Sequence, residues 1–256
     1  MGLFSHRPRR ARTVGALCAF SVGVVLAISA CSSLSALDDA PATRAASDAP
    51  LITAPTPAHE IVMIGDSVMS GYGLDDGTNW PAILADRSGE DIVNLACPGA
   101  GFTSIGDCDD DFAGIAAEAI TLDPATVIIQ SSDNDFGSDP DELDRTTLDT
   151  VRLLHAALPH TQIVGLSTVR YITEGSEDEL AATAGALSDA IADVGGTYVD
   201  VGQPLAGQPD LVQDDEEHPT EDGQVALARA MQSALEDAGV IPGIDRQRII
   251  AGFTRL

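Results

Sequence analysis

The chain contains no lysine. All 13 of its basic residues are arginine, against 40 Asp and Glu, and the formal net charge is −27. Four arginines (Arg7, Arg9, Arg10 and Arg12) precede residue 31, where no acid occurs; from Cys31 onward nine arginines face 40 acids, a net charge of −31. A surface so short of positive charge repels nucleic acid and anionic headgroups, so no nucleic-acid partner is expected. Aromatic residues make up only 4%, which argues against a long groove that stacks sugar rings. There are four cysteines and no Cys-His-rich cluster, so neither a metal site nor a cofactor is expected. No internal repeat is visible.

What is present begins with an export layout. Residues 1–12 are basic, and residues 13–30, "TVGALCAFSVGVVLAISA", carry no charge. A basic segment before an apolar one is the pattern of a signal peptide. An uncleaved membrane anchor needs about 20 apolar residues, and this run is slightly short and rich in small ones. It ends "ISAC", which resembles the lipobox of bacterial lipoproteins. That resemblance implies cleavage before Cys31 and lipidation of Cys31, placing the protein in the cell envelope on the outer face of the cytoplasmic membrane. Plain secretion or an uncleaved anchor would also put the domain outside the cytoplasm. Residues 31–58 are rich in Ala, Ser, Pro, Asp and Thr and read as the lipidated Cys and a flexible tether. At roughly 3 Å per residue when extended, the tether spans tens of ångströms.

Cys18 would leave with the signal, and Cys31 would carry lipid. Cys97 and Cys108 remain, and an oxidising location suits a disulfide between them. Closing so short a loop stabilises by about 3 kcal/mol. A free thiol pair or a metal site are the alternatives.

Beyond residue 58, short β-branched runs read as buried strands: 60–65, 91–96, 125–131, 161–167 and 197–201. Helical patterns lie near 79–88, 112–120, 141–157, 177–194 and 222–239, the last with Ala226, Ala228, Met231 and Leu235 on one face. Regular alternation of strand and helix predicts an α/β fold, a three-layer, flavodoxin-like sandwich around a five-stranded parallel sheet. The domain is expected to span 59–240, to be a monomer, and to be followed by an extension, 241–256, with no assigned role. In such sheets ligands sit outside the carboxyl ends of the strands. The segments that follow strands one, two, three and five are "GDS", "CPGAGFTS", "SSDNDFG" and "DDEEHPTEDG".

Ser67 within "VMIGDSVMSG" reads first as a helix cap, because Ser and Asp oxygens accept from free backbone N–H groups. The full set of segments changes the weight. Gly65-Asp66-Ser67, Asn94 with Gly99, Ser132-Asp133-Asn134-Asp135, and Asp215 with His218 resemble the SGNH hydrolases, the GDSL-type esterases. Trp80-Pro81 is similar to the Trp-Pro many members carry after the first motif. The resemblance covers about residues 60–239. It implies Ser67 as nucleophile, His218 as base, Asp215 as its orienting acid, and an oxyanion hole from the Ser67 N–H, the Gly99 N–H and the Asn134 side-chain amide. One position departs: Ser132 stands where the family carries Gly, which puts Asn134 in doubt unless the local backbone accepts a side chain.

The chemistry is consistent with those assignments. A Ser hydroxyl attacks only when a base removes its proton, and His is the usual base near neutral pH. Five His exist: His6, His59, His155, His160 and His218. Only His218 falls in a loop at the carboxyl edge with an acid three residues earlier, Asp214 being the competing acid. Ser67 opens a helix, where free N–H groups and the dipole favour negative charge. Asp66 is expected to organise the turn. Phe102 and Phe136 are candidate pocket walls, with core packing equally open. The expected function is an exported serine hydrolase that cleaves a small-molecule or cell-envelope carboxylic ester through an acyl-enzyme. An O-acyltransferase with the same triad, or a non-catalytic binding lipoprotein on the same fold, are the alternatives.

Overall fold

Period-two alternation sorts the side chains of the first strand, Ile61–Ile64 (β1), onto two faces. Val62 and Ile64 enter one core; Ile61 and Met63 enter another. Two separate cores require helices on both faces of the sheet. The structure is a computed structural model and describes residues 61–171 and 175–243. The signal, Cys31, the tether and residues 244–256 lie outside the described residues, as does His59.

Four further strands complete the sheet: Ile92–Asn94 (β2), Thr126–Gln130 (β3), Gln162–Leu166 (β4) and Thr197–Val199 (β5). All pairs are parallel, in the order β2-β1-β3-β4-β5. Central β1 and β3 are buried along their whole length, which is why they read as unbroken apolar runs. The register Val62↔Val127↔Ile163 lines up one face of the sheet.

Among the described residues six helices cover it: Ser67–Ser70 (α1), Trp80–Ser88 (α2), Phe112–Thr121 (α3), Pro140–Ala157 (α4), Glu177–Asp193 (α5) and Glu221–Asp237 (α6). Helices α3, α4 and α5 bury Phe112, Ile115, Val151, Leu154, Leu187 and Ile191 on one face. Helices α1, α2 and α6 bury Met69, Trp80, Leu84, Leu227 and Met231 on the other. Each such apolar side chain contributes about 1.5–3 kcal/mol on leaving water. In α6, Leu227 takes the fully buried position and Ala226 only flanks it.

Local chemistry sets most helix starts. Asp66, Asn79, Asp111, Asp139 and Thr220 each accept a backbone N–H as N-caps, and Pro81 and Pro140 sit in first turns. The three-layer α/β sandwich with a five-stranded parallel sheet is therefore the observed architecture. Its carboxyl edge gathers the segments after β1, β2, β3 and β5.

Candidate active site

Asp66 is the pivot of the first segment. One carboxylate oxygen accepts the Val68 N–H at 2.9 Å and caps α1. Gly71, at φ 77°, ends the helix after one turn. From α6, the fully buried Gln224 donates to the Val68 carbonyl at 3.0 Å and accepts the Trp80 N–H at 2.8 Å. That side chain locks α1 against α2. Ser67 is thus the first residue of a fixed helical turn, 6% exposed.

The loop after β2 is stapled. Asn94 donates to the Met69 carbonyl at 3.1 Å and accepts the Ala96 N–H at 3.1 Å. Cys97 and Cys108 are joined as a disulfide with Cα atoms 6.1 Å apart, and Asp107 N–H reaches the Pro98 carbonyl at 2.8 Å. Gly99 stands between them at φ 80°, a left-handed backbone that few other residues adopt. Asp135 grips the far side of the loop. Its oxygens accept the Phe102 N–H, the Thr103 N–H and the Thr103 hydroxyl at 2.7–2.8 Å. A Cβ on Gly101 would run into that carboxylate, so the close approach requires Gly.

After β3, Asp133–Asp135 form one 3-10 turn capped by Ser132. Ser132 has φ −116° and ψ 149°, ordinary extended backbone for any residue. The departure at this position therefore leaves Asn134 in place. Among the described residues the Asn134 side-chain NH2 donates once, to the Ala100 carbonyl at 3.0 Å, which leaves its second hydrogen without a partner there. Asp133, beside it, is pushed up to about 6 by burial first, then by the charge of Asp66, with Arg170 opposing. Arg170 lies 3.7 Å from Asp133 and over the Phe136 ring at 5.2 Å.

The last segment is a tight loop. Val212 and Pro219 pair as an antiparallel bridge, and Gln213 N–H reaches the His218 carbonyl at 2.8 Å. Gln213 also donates to the Tyr72 carbonyl at 2.8 Å and the Pro219 carbonyl at 2.9 Å, tying this loop to the end of α1. Asp215 accepts the Glu217 and His218 N–H groups on one oxygen at 3.0 Å. Its other oxygen meets His218 Nδ1 at 2.7 Å. These bonds, the His218 N–H first and the ring second, hold Asp215 down to about 2. An ionised carboxylate only accepts, so Nδ1 carries the proton and Nε2 is left as a base. Tyr72 stacks against the imidazole, ring centres 4.6 Å apart.

Ser67, Gly99, Asn134 and His218 line one cavity of about 230 Å³, with Tyr72, Pro98, Asp107 and Glu217 around them. Among the described residues, no hydrogen bond engages the N–H of Ser67 or of Gly99. Phe102 is 2% exposed and packs edge-on against Phe112, so it is core. Phe136 instead lines a separate cavity of about 380 Å³ with Pro140, Leu143 and Thr183. His155 and His160 are exposed and remote in the fold from these segments. No group of three or more metal-ligating side chains occurs among the described residues. Ser132, Tyr72, Asp135, Gln213 and Gln224 carry positioning contacts that the sequence alone did not single out. Ser132 and Asp135 both fall in the motif after β3, Ser132 as its departure from the family pattern, and so carried a signal.

Residues 63–226 match the model of the GDSL-like Lipase/Acylhydrolase family. No curated protein sequence matches the chain. Among solved structures, that of TesA is similar at 22% identity and TM-score 0.56, covering 70% of this chain and 99% of that one. The psychrotrophic esterase EstA from Pseudoalteromonas sp. is similar at 20% identity and TM-score 0.58, covering 70% and 97%. The salicylyl-acyltransferase SsfX3, from a tetracycline biosynthetic pathway, is similar at 20% identity and TM-score 0.59, covering 74% and 57%. At these identities the likeness is one of fold.

Proposed function

The chain belongs to the GDSL-like lipase/acylhydrolase family, and from that premise we propose that it is an exported serine hydrolase that cleaves carboxylic esters through an acyl-enzyme. The observation that carries the reading is that His218, bonded to Asp215, lines the same cavity as Ser67. Its Nδ1 is committed to an ionised carboxylate at 2.7 Å, so Nε2 is the atom that takes the Ser67 proton.

Ser67 Oγ attacks the ester carbonyl as His218 accepts its proton. The carbonyl oxygen becomes an oxyanion and draws on the Ser67 N–H, the Gly99 N–H and the second hydrogen of the Asn134 amide. Donors held in fixed turns need little reorganisation as the charge develops. The tetrahedral adduct collapses, the C–O bond to the alcohol breaks, and His218 returns the proton to the departing alkoxide. A water then repeats the cycle against the acyl-enzyme and restores Ser67. Asp215 holds the imidazole tautomer and stabilises the imidazolium. Lipidation at Cys31 and the tether would hold the monomeric domain outside the cytoplasmic membrane. The net charge of −31 past residue 30 favours neutral or cationic esters over polyanions.

The reading is tested with p-nitrophenyl acetate under rapid mixing. A burst of p-nitrophenol equal to the enzyme concentration, with one acetyl group gained on the Ser67 peptide, is expected. No turnover across acyl-chain lengths and acetylated sugars would contradict it. Acetyl transfer to an added alcohol in preference to water would move the function to an O-acyltransferase using the same residues. Replacement of Cys31 by Ser is expected to release the protein from the membrane fraction; unchanged association would speak for an uncleaved anchor.

A further inference from the structure

One hydroxyl joins two turns that belong to different strands. Ser132 Oγ, after β3, donates to Asp66 Oδ2, after β1, at 2.6 Å. The same oxygen accepts the Asn134 N–H at 3.0 Å. Asp66 uses its other oxygen on the Val68 N–H at 2.9 Å. A chain of three hydrogen bonds therefore runs from the turn that carries Ser67 to the turn that carries Asn134. It is dry along its length: Ser132 is 0% and Asp66 6% exposed.

The direction of the chain is set by chemistry. A backbone N–H only donates, so Ser132 Oγ accepts from Asn134 and its own single proton is directed to Asp66. Burial pushes the Asp66 carboxyl up, and the Ser132 hydroxyl is the largest influence pulling it back down. The backbone at 132 accepts a side chain without strain, so the hydroxyl and not the conformation is what this position adds.

We propose that Ser132 is a positioning residue for the ester reaction, its hydroxyl fixing the spacing between the Ser67 N–H and the Asn134 amide. Those two oxyanion donors stand in turns that follow different strands, and among the described residues no side-chain hydrogen bond other than Ser132–Asp66 joins the two turns. An oxyanion hole works only when its donors are held near their final places, and small displacements cost rate. Removing the hydroxyl leaves a buried carboxylate oxygen and the Asn134 N–H each short of a partner, and frees the second turn to shift. The inference rests on the proposed serine-hydrolase reading.

The test uses Ser132→Gly, Ser132→Ala and Ser132→Thr in the full chain. Turnover is normalised to sites titrated with a fluorophosphonate, so that only folded, competent molecules count. Gly and Ala should lower kcat about 10-fold on p-nitrophenyl acetate, with KM within about twofold of the parent. They should weaken binding of phenylboronic acid, a tetrahedral-adduct mimic, by the same factor. Thr, which keeps the hydroxyl, should recover most of both. In an Asn134→Ala background, Ser132→Ala should cost less than about threefold, because the spacing no longer has a second donor to set. Parent-like kcat in Ser132→Ala, or an undiminished loss in the Asn134→Ala background, overturns the inference. Failure of the serine-hydrolase reading looks different: the parent itself would turn over without fluorophosphonate sensitivity, or not at all.

Discussion

Replacing both Cys97 and Cys108 by Ala separates the stability of the loop after β2 from its part in turnover. The two residues are 11 apart in sequence, and closing a loop of that length removes unfolded-chain entropy worth about 3 kcal/mol on the chain-entropy view. Cys97 is 3% exposed within the larger core cluster, so loss of its sulfur adds a small packing term. For a domain of this size, each kcal/mol moves the melting temperature by about 2–4 °C, giving a fall of about 6–12 °C. Turnover should suffer much less. Gly99 is also held by Asp107 N–H on the Pro98 carbonyl at 2.8 Å, and the loop beyond it by Phe112 N–H on Gly101 and by Asp135. A loss of about 3–10-fold in kcat below the melting transition is expected, well under the 10²–10³ of a deleted oxyanion donor. Circular dichroism melts and initial rates on the same preparations read both effects. A melting shift under about 2 °C, or a hundredfold kcat loss with the fold intact, would refute this account of the loop.

Asp215→Asn should lower kcat by about 10³–10⁴, because an amide no longer imposes the Nδ1–H tautomer on His218; steady-state rates with a parent-like melt check it. Asp133, raised to about 6, binds its proton more tightly folded than unfolded. Its contribution is present below about pH 4 and is lost as pH rises through about 6, with a slope of at most about 1.4 kcal/mol per pH unit. Urea denaturation between pH 4 and 6 should therefore show a decline that Asp133→Asn flattens; an unchanged slope would exclude Asp133 as its source. Asp215, lowered to about 2, behaves oppositely: its contribution is present above about pH 4 and disappears as pH falls through about 2. Asp215→Asn should remove that acid-side loss in the same titration.

Strands and long helices were readable because their causes are local. Ile61–Ile64 and Thr126–Gln130 are apolar runs whose length suits a strand buried on both faces. Each long helix announces itself by periodicity, and most by a capping Asp, Asn or Thr. Ser67, Gly99, Asn134, Asp215 and His218 were legible because each follows a strand at the edge where such sheets bind ligands, in the order of a known family. The supporting contacts were not. Ser132 and Asp66 are 66 residues apart, Gln213 and Tyr72 141, and Gln224 and Val68 156. No pattern within a single segment encodes a partner so far along the chain. Asp133–Asp135 and Pro209–Leu211 form 3-10 turns too short to leave a period, and Phe102 and Phe136 were indistinguishable until packing put one in the core and the other on a cavity wall.

The central claim is that Ser67 attacks the substrate, and one comparison reaches it most directly. Parent and Ser67→Ala proteins are treated with a fluorophosphonate and mapped by mass spectrometry, with ester turnover and melting temperature read on the same samples. Ser67 is already 6% exposed inside a helix that Asp66 caps, so loss of its hydroxyl leaves the cap in place and the fold should persist. The account predicts a single labelled peptide containing Ser67 in the parent, none in the variant, and kcat reduced by several orders of magnitude. A folded Ser67→Ala protein that still turns over ester at the parent rate, or parent label on any other residue, would contradict it.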